Sequence, residues 1–246
     1  CQEAKKGRHA IMSVLKHKKV LITGATGGVG EALAQTFASL NCSIFLTGTN
    51  KKKLQLLAKK IGPRCQGYEV ADFKNTESIE NLLKIAKRQL KNVDILINCA
   101  GVFPVKFAKD TTFEEYNDCF NVNVTAPFLL CRSVIPDMID RRWGRIINIG
   151  SSSAYAGFAK TSVYCASKHA LLGLSRALHA ELKEYGVRVH SVSPGSVKTK
   201  MGEKVEGQDY ETFIDPDELA SFIAHIISYD KNMISEEIRL NRVFVQ

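Results

Sequence analysis

Short runs rich in valine and isoleucine alternate with longer segments of helical period along almost the whole 246-residue chain. The runs are continuously apolar, which is typical of parallel strands buried on both faces. The predicted strands are Lys19–Thr23, Ser43–Thr47, Gln66–Ala71, Val93–Asn98, Gly144–Gly150, Val187–Val192 and Glu237–Leu240. The predicted helices are Val29–Leu40, Lys51–Lys60, Thr76–Leu90, Phe113–Asp140, Val163–Tyr185 and Pro216–Ser228. This order predicts an α/β fold with about seven mostly parallel strands in one doubly wound sheet flanked by helices.

No linker, repeat or low-complexity segment interrupts the alternation, so we expect a single domain. Residues 18–246 are assigned to that domain, and the basic residues 1–17 to an N-terminal extension, either a tag remnant or a disordered segment. No apolar run approaches the roughly 20 residues that span a bilayer, so we expect no membrane association. The seven cysteines are scattered without a CxxC pair, and no His/Cys cluster has metal-ligand spacing. This pattern indicates reduced thiols in the cytoplasm and no bound metal.

The chain carries a net charge of +9. Such a surface attracts anions, for example nucleotide phosphates, an acidic carrier protein or nucleic acid. The basic residues are dispersed along the chain, so we do not expect nucleic acid as a partner. The alternative is an ordinary soluble surface that happens to be basic.

Glycines are concentrated where the first predicted strand meets the first predicted helix, in the sequence TGATGGVG. The first turn of a helix has unpaired N–H groups and attracts negative charge, so a diphosphate binds there if no side chain blocks its approach. A simple tight turn is the alternative, because the strict GxGxxG spacing is absent. The segment gives the candidate cofactor-binding residues Thr23, Gly24, Thr26, Gly27, Gly28, Val29 and Gly30.

The end of the second strand indicates which dinucleotide is bound. An acidic residue there binds the ribose 2′-hydroxyl of NAD, whereas polar or basic groups accept the 2′-phosphate of NADP. This chain has Thr49 and Asn50 followed by three lysines, and no carboxylate. We therefore predict NADP(H), with NAD(H) not excluded. Lys51 or Lys52 would assist at the 2′-phosphate.

Tyr164 and Lys168 are four residues apart, so on a helix they share one face. A nearby ammonium stabilises a phenolate and thereby lowers the tyrosine pKa toward neutrality. Ser151, thirteen residues before Tyr164, directly follows the fifth strand and can face the same crevice as the glycines. Its hydroxyl would bind a substrate carbonyl. On sequence alone Ser152 and Ser153 are rivals to Ser151, and a core tyrosine beside an unrelated lysine is the plain alternative.

Taken together, these motifs resemble those of the short-chain dehydrogenase/reductase family over Lys18 to Leu240. The TGxxxGxG pattern is Thr23 to Gly30, and the Ser–Tyr–Lys triad is Ser151, Tyr164 and Lys168. The NNAG pattern appears as Asn98-Cys99-Ala100-Gly101, with Cys99 as a departure. The resemblance implies a Rossmann-type fold. It also implies further site residues, namely Asn98, Ala100, Gly101, Asn123 rather than Asn121, Asp72 with Phe73 near the adenine ring, and Pro194, Gly195, Val197 and Thr199 near the nicotinamide.

The resemblance further implies hydride transfer between a nicotinamide and a carbonyl carbon. Tyr164 would protonate the oxygen while Ser151 holds it. Lys168 would lower the Tyr164 pKa and bind the nicotinamide ribose, and Asn123 would anchor a water. Substrate specificity would reside in a polar lid over Ser196 to Pro216.

Two substrate classes stay open. The chain resembles reductases of 3-oxoacyl thioesters, whose acidic acyl-carrier protein would suit the basic surface. The C-terminal EEIRLNRVFVQ departs from their usual ending and is closer to carbonyl reductases and 3-hydroxy-acid dehydrogenases of small substrates. A catalytically idle NADP(H)-binding sensor is a third reading, although such proteins typically lose the tyrosine or the lysine. The family pairs its two long helices across a two-fold axis, which implies a homodimer or homotetramer.

Overall fold

The computed structural model describes residues 13–243. Its strands are β1 Lys19–Ile22, β2 Ser43–Gly48, β3 Cys65–Val70, β4 Ile95–Asn98, β5 Gly144–Ile149, β6 Val187–Pro194 and β7 Glu237–Leu240. Its α-helices are α1 Gly28–Ser39, α2 Lys51–Ile61, α3 Thr76–Leu90, α4 Phe113–Phe120, α5 Ala126–Asp140, α6 Ser162–Leu182 and α7 Pro216–Ile227. A π-helical segment, Asn121–Thr125, joins α4 to α5. All seven predicted strands are present, with ends that differ from the prediction by at most two residues.

The strands form one sheet in the order β3-β2-β1-β4-β5-β6-β7, and every neighbouring pair is parallel. The doubly wound sheet predicted from the alternation of strands and helices is thus confirmed. The chain winds outward in one direction from β1 to β3 and in the other from β4 to β7. A ligand crevice forms at the carboxyl ends of the strands where such a sheet changes direction, here between β1 and β4.

Alternate residues of the central strands supply two hydrophobic cores. On one face Ile22, Ile97 and Val192 belong to a cluster with buried residues of α1, α2 and α7. On the other face Leu21 and Leu96 belong to a cluster with buried residues of α3, α5 and α6. Since both faces are covered, the strands are apolar at consecutive positions.

The predicted helix Phe113–Asp140 is continuous but not α-helical throughout. Pro127 has no N–H to donate to the carbonyl four residues earlier, that of Asn123. The backbone instead widens, and the Ala126 N–H bonds to the carbonyl of Asn121. Such π-bulges occur frequently at functional sites, and this one contains Asn123.

The same helix is the one segment, among the described residues, that is long and apolar enough to cross a membrane by length and composition. The expectation that no segment approaches that length is therefore corrected. Its most apolar window has a mean hydropathy of 1.2 and is 44% buried inside the protein. Leu130, Val134 and Met138 pack into the core beneath the sheet, as they would in the core helix of a globular protein.

The packed part of the chain begins before the predicted boundary at residue 18. Leu15 is fully buried in the core with Val20 and Phe37, and the N–H of His17 donates to the carbonyl of Asn41 at 3.1 Å. Residues 1–12 of the predicted extension lie outside the described range.

We expect Leu15→Ala to lower the free energy of unfolding by about 2–5 kcal/mol, because truncation leaves a cavity in the core. Urea unfolding of the full chain measures this effect. Leu56→Ala is the matched control, since Leu56 is 69% exposed, and it should change stability by less than about 0.5 kcal/mol. Equal effects of the two substitutions would show that residues before 18 lie outside the fold.

Candidate active site

A cavity of about 1010 Å³ lies at the carboxyl ends of the strands. Residues that follow β1, β4, β5 and β6 line it, as the change of direction in the sheet predicts. It contains all but four of the predicted site residues. Those that line it are Gly24, Thr26, Gly27, Gly28, Val29, Gly30, Thr49, Asp72, Phe73, Ala100, Gly101, Ser151, Tyr164, Lys168, Pro194, Gly195, Val197 and Thr199.

Two glycines of the TGATGGVG segment are required by close backbone contacts. Gly24 has φ +62°, and a Cβ there would lie 2.7 Å from the backbone N and Cα of Ala100. A Cβ on Gly30 would overlap the carbonyl oxygen of Gly24. These contacts keep the turn compact and hold the start of α1 beside the loop after β4.

The N-terminus of α1 fits an anionic group. Gly27 is its N-cap, in extended conformation, and no side chain caps the helix. A Cβ on Gly27 would have a single neighbour within 4 Å, the Gly24 carbonyl oxygen at 3.4 Å. The first turn of α1 therefore lines the cavity with no side chain close to Gly27, while the Thr199 side chain lies against Gly28. A dinucleotide diphosphate can approach these N–H groups closely.

The end of β2 differs in part from the prediction. Thr49 lines the cavity, but the Asn50 side chain caps α2 by accepting from the Lys53 N–H at 3.0 Å. Lys51 and Lys52, named from the sequence as partners of a 2′-phosphate, are not lining residues, whereas Lys53 is. Helical geometry places Lys53 one turn from the cap, back toward the cavity.

Thr23 and Asn98 act beneath the cavity rather than in its wall. The Thr23 hydroxyl accepts from the N–H groups of Cys99 at 3.0 Å and Ala100 at 3.1 Å, and so ties the end of β1 to the loop after β4. Asn98 donates to the side-chain oxygen of Asn148 at 2.8 Å, which joins the ends of β4 and β5.

Asn123 is buried, and its amide group is bonded within the protein. Its Oδ1 accepts from the Val102 N–H at 2.9 Å, while its Nδ2 donates to the Val102 carbonyl at 3.0 Å and to the Ser167 hydroxyl at 3.0 Å. These bonds hold the loop after β4 against α6. The water expected at Asn123 stays a prediction.

Tyr164 and Ser151 meet at the inner end of the cavity. Tyr164 is 7% exposed. Burial raises the pKa of its phenol to about 12, while the hydrogen bond with the Ser151 hydroxyl acts in the opposite direction. The expected lowering of this pKa by Lys168 is therefore not found, because burial dominates. A phenol with this pKa remains protonated at neutral pH and can donate a proton.

Lys168 is buried behind the tyrosine. Its ammonium donates to the Ile149 carbonyl at 2.9 Å and lies 5.7 Å from the centre of the Tyr164 ring. Burial lowers the pKa of Lys168 to about 8, because a charged group is disfavoured away from water.

Several lining residues were not predicted from the sequence. The apolar ones include Val102, Phe103 and Phe158, and the charged ones include Glu31 and Lys160. The Phe103 ring meets the Tyr164 ring edge-on with 4.6 Å between centres. Only the position of Phe103 after NCAG could have indicated it, because loop residues follow no periodic pattern.

We expect the pKa of Lys168 to make its contribution to stability depend on pH. Between pH 8 and 10.5 the folded protein has released this proton while the unfolded chain retains it, so rising pH favours folding. The difference in unfolding free energy between the wild-type protein and Lys168→Met should change by about 2 kcal/mol in favour of the wild type from pH 7 to 9.5. Urea unfolding across this range measures it. A constant difference would contradict the lowered pKa.

Comparison with known proteins identifies relatives of this chain. Residues 18–209 match the family model described as short chain dehydrogenase. The 3-oxoacyl-[acyl-carrier-protein] reductase FabG of Rickettsia typhi is 32% identical over 227 residues, which cover 89% of this chain and 92% of that protein. An uncharacterised oxidoreductase of Staphylococcus aureus (strain N315) is 30% identical over 232 residues, covering 94% of this chain and 100% of the relative.

A solved structure agrees with these matches. A metagenomic short-chain oxidoreductase, crystallised in complex with NADP, superposes with a TM-score of 0.80 at 28% identity, covering 93% of this chain and 99% of that one. The family match, the sheet order and the relatives support one assignment. The chain belongs to the short-chain dehydrogenase family of oxidoreductases.

Proposed function

We propose that this protein is an NADP(H)-dependent oxidoreductase that reduces a carbonyl group to an alcohol. The observation that carries the proposal is that Ser151, Tyr164 and the buried Lys168 line one cavity together with the N-terminus of α1. A tyrosine with a purely structural role beside a lysine would require neither Ser151 nor a helix N-terminus in the same cavity.

In this mechanism the side chains bind the carbonyl oxygen and supply a proton. When bound, NADPH supplies the hydride to the carbonyl carbon. The Ser151 hydroxyl donates a hydrogen bond to the carbonyl oxygen as negative charge develops there. Tyr164 gives its proton to that oxygen, which completes the alcohol, and the ammonium of Lys168 stabilises the phenolate that remains. Proton uptake from solvent restores the phenol.

The preference for NADP(H) is supported by the end of β2. Thr49 and Lys53 line the cavity there, and no carboxylate follows the strand. The related metagenomic structure was solved with NADP. A carboxylate would repel a 2′-phosphate, whereas a hydroxyl and an ammonium bind it.

A 3-oxoacyl thioester, with acyl-carrier protein as partner, is our first candidate substrate. The named FabG relative and the net charge of +9 support it. A small carbonyl compound or hydroxy acid is the second candidate, because its carboxylate is one of the two anionic groups that the lysine described in the next subsection would bind. An idle sensor is disfavoured because both Tyr164 and Lys168 are present and buried in the cavity.

We also propose a homodimer or homotetramer in which the long helix Phe113–Asp140, which comprises α4 and α5, and α6 pair across a two-fold axis. Exposed apolar side chains on this side, Phe113, Tyr116 and Phe128, support such an interface. The six cysteines within the described residues are all unpaired, which supports a location in the reducing cytoplasm. A tetramer would need a second interface.

We expect Tyr164→Phe to lower kcat at least 100-fold, since it removes the proton donor while keeping the ring. Absorbance at 340 nm follows NADPH oxidation with acetoacetyl thioesters of coenzyme A and acyl-carrier protein and with small ketones. NADPH binding, measured by fluorescence, should persist. Tyr185→Phe, at an exposed position, is the control and should retain wild-type turnover. Retained turnover in Tyr164→Phe would refute the mechanism.

We expect Lys53→Gln to raise the KM for NADPH about 5-fold, equivalent to ~1 kcal/mol, with a smaller change for NADH. The reason is that Lys53 lines the cavity next to Thr49. Lys52→Gln is the matched control, because Lys52 is an exposed residue of the same helix that does not line the cavity. Equal effects of the two substitutions would assign the preference to general surface charge.

A further inference from the structure

Lys160 lies in the loop between β5 and α6, four residues before Tyr164, and lines the cavity. Its φ of +61° is in the left-handed region, which a lysine adopts at some energetic cost. The other non-glycine residues with positive φ in the described part of the chain, His17, Asn41, Lys91 and Arg142, are not among the residues that line the cavity. Strained backbone conformations cluster at functional sites, so the strained residue in the cavity wall is a candidate for a functional role.

The surrounding loop holds Lys160 in place. Its carbonyl accepts from the Lys106 N–H at 2.6 Å. The next residue, Thr161, is buried and donates its hydroxyl proton to the Phe158 carbonyl at 2.8 Å. The backbone of Lys160 is therefore fixed between the loop after β4 and the start of α6, while its side chain remains 42% exposed.

The ammonium of Lys160 has two exposed neighbours. It lies 5.7 Å from the centre of the Phe107 ring and 3.7 Å from a carboxylate oxygen of Glu206, whose side chain is 83% exposed. An exposed ion pair of this kind contributes little stability. Glu206 belongs to the predicted lid, so the pair joins the lid to the wall that bears Lys160.

The lining residues that the β5–α6 loop and the lid contribute carry a net positive charge. They include Lys160, Lys200 and Lys204, whereas Glu206 is the one lid carboxylate, of five, that lines the cavity. The other lining carboxylates lie elsewhere: Glu31 pairs with Lys60, and Asp72 follows β3.

Apolar side chains also line the cavity. Phe103 contacts the Tyr164 ring, and Phe158 lines the cavity two residues before Lys160 in the sequence. A substrate in this cavity therefore meets an apolar surface beside Tyr164 and a cation on the loop that precedes α6.

We propose that Lys160 determines substrate specificity by binding an anionic group of the substrate, with Glu206 as its internal competitor. The inference rests on the proposed carbonyl reduction and adds to it the charge class of the substrate. Two sources supply such a group, the carboxylate of a short oxo acid and the phosphates of a pantetheine thioester.

The test uses two pairs of compounds that differ in charge. Acetoacetate is compared with ethyl acetoacetate, and acetoacetyl-coenzyme A with the neutral thioester of N-acetylcysteamine. The measured quantity is the ratio of kcat/KM for the anionic over the neutral member of each pair, in wild type, Lys160→Gln, Lys160→Arg, Glu206→Gln and Lys109→Gln.

We expect Lys160→Gln to lower this ratio about 10-fold in one pair, and that pair identifies the anion. Lys160→Arg should restore most of the ratio, and Glu206→Gln should raise it about 2- to 3-fold by removing the competing carboxylate. Lys109→Gln is the control for a nearby charge, since Lys109 is exposed and does not line the cavity. This substitution should leave kcat/KM unchanged for both members of each pair.

If Lys160 had a purely structural role, its substitution would lower kcat/KM equally for both members of a pair. An unchanged ratio in Lys160→Gln therefore overturns the proposal. An equal fall in the ratio with Lys109→Gln would assign it to general surface charge and also overturn it. Failure of the wild type to reduce any of the four compounds would instead refute the proposed function, and the inference with it.

Discussion

The close approach between the loop after β1 and the loop after β4 is the constraint on which the site depends. The Thr23 hydroxyl accepts two N–H groups from the β4 loop, and Gly24 leaves no room for a Cβ against Ala100. If these backbones separated, α1 would move away from β4. Its N-terminus and the loop that carries Val102 would then no longer face one cavity. The glycines therefore serve the fold and the proposed diphosphate site through one geometric requirement.

Burial sets the protonation states of Tyr164 and Lys168. Because Tyr164 and Lys168 are both removed from water, the uncharged form of each is favoured: the pKa of the phenol rises to about 12 and that of the ammonium falls to about 8. The phenol is then available as an acid across the neutral range. The pKa of Lys168 lies close to neutral pH. A negative charge that develops on Tyr164 would favour the charged form of this lysine and so stabilise the ion pair between them. These protonation states suit the proposed role of Tyr164 as a proton donor.

Much of this architecture could be predicted from sequence, because burial on both faces gives strands an unmistakable apolar composition. The glycine segment and the Ser151–Tyr164–Lys168 spacing likewise placed the residues that line the cavity. Side-chain hydrogen bonds were less accessible. Thr23, Asn50, Asn98 and Asn123 were assigned to the site from their positions in motifs, whereas their side chains hold its supporting backbone. A motif identifies the position at which a residue is needed. Its hydrogen-bond partners in the structure show what role the side chain has.

The residues missed from the sequence share a physical cause. Lys53 reaches the cavity because of a helix cap, and Lys160 because its loop takes a left-handed turn. Both depend on local backbone geometry rather than on periodic burial. Because these positions are exposed, a substitution that changes their charge does not disturb the core. The sheet, the glycine turn and the buried triad can therefore remain constant while exposed lysines that line the cavity vary, and it is to these lysines that we assign the proposed selection of cofactor and substrate. On this view the specificity of the protein is set where its sequence is least periodic.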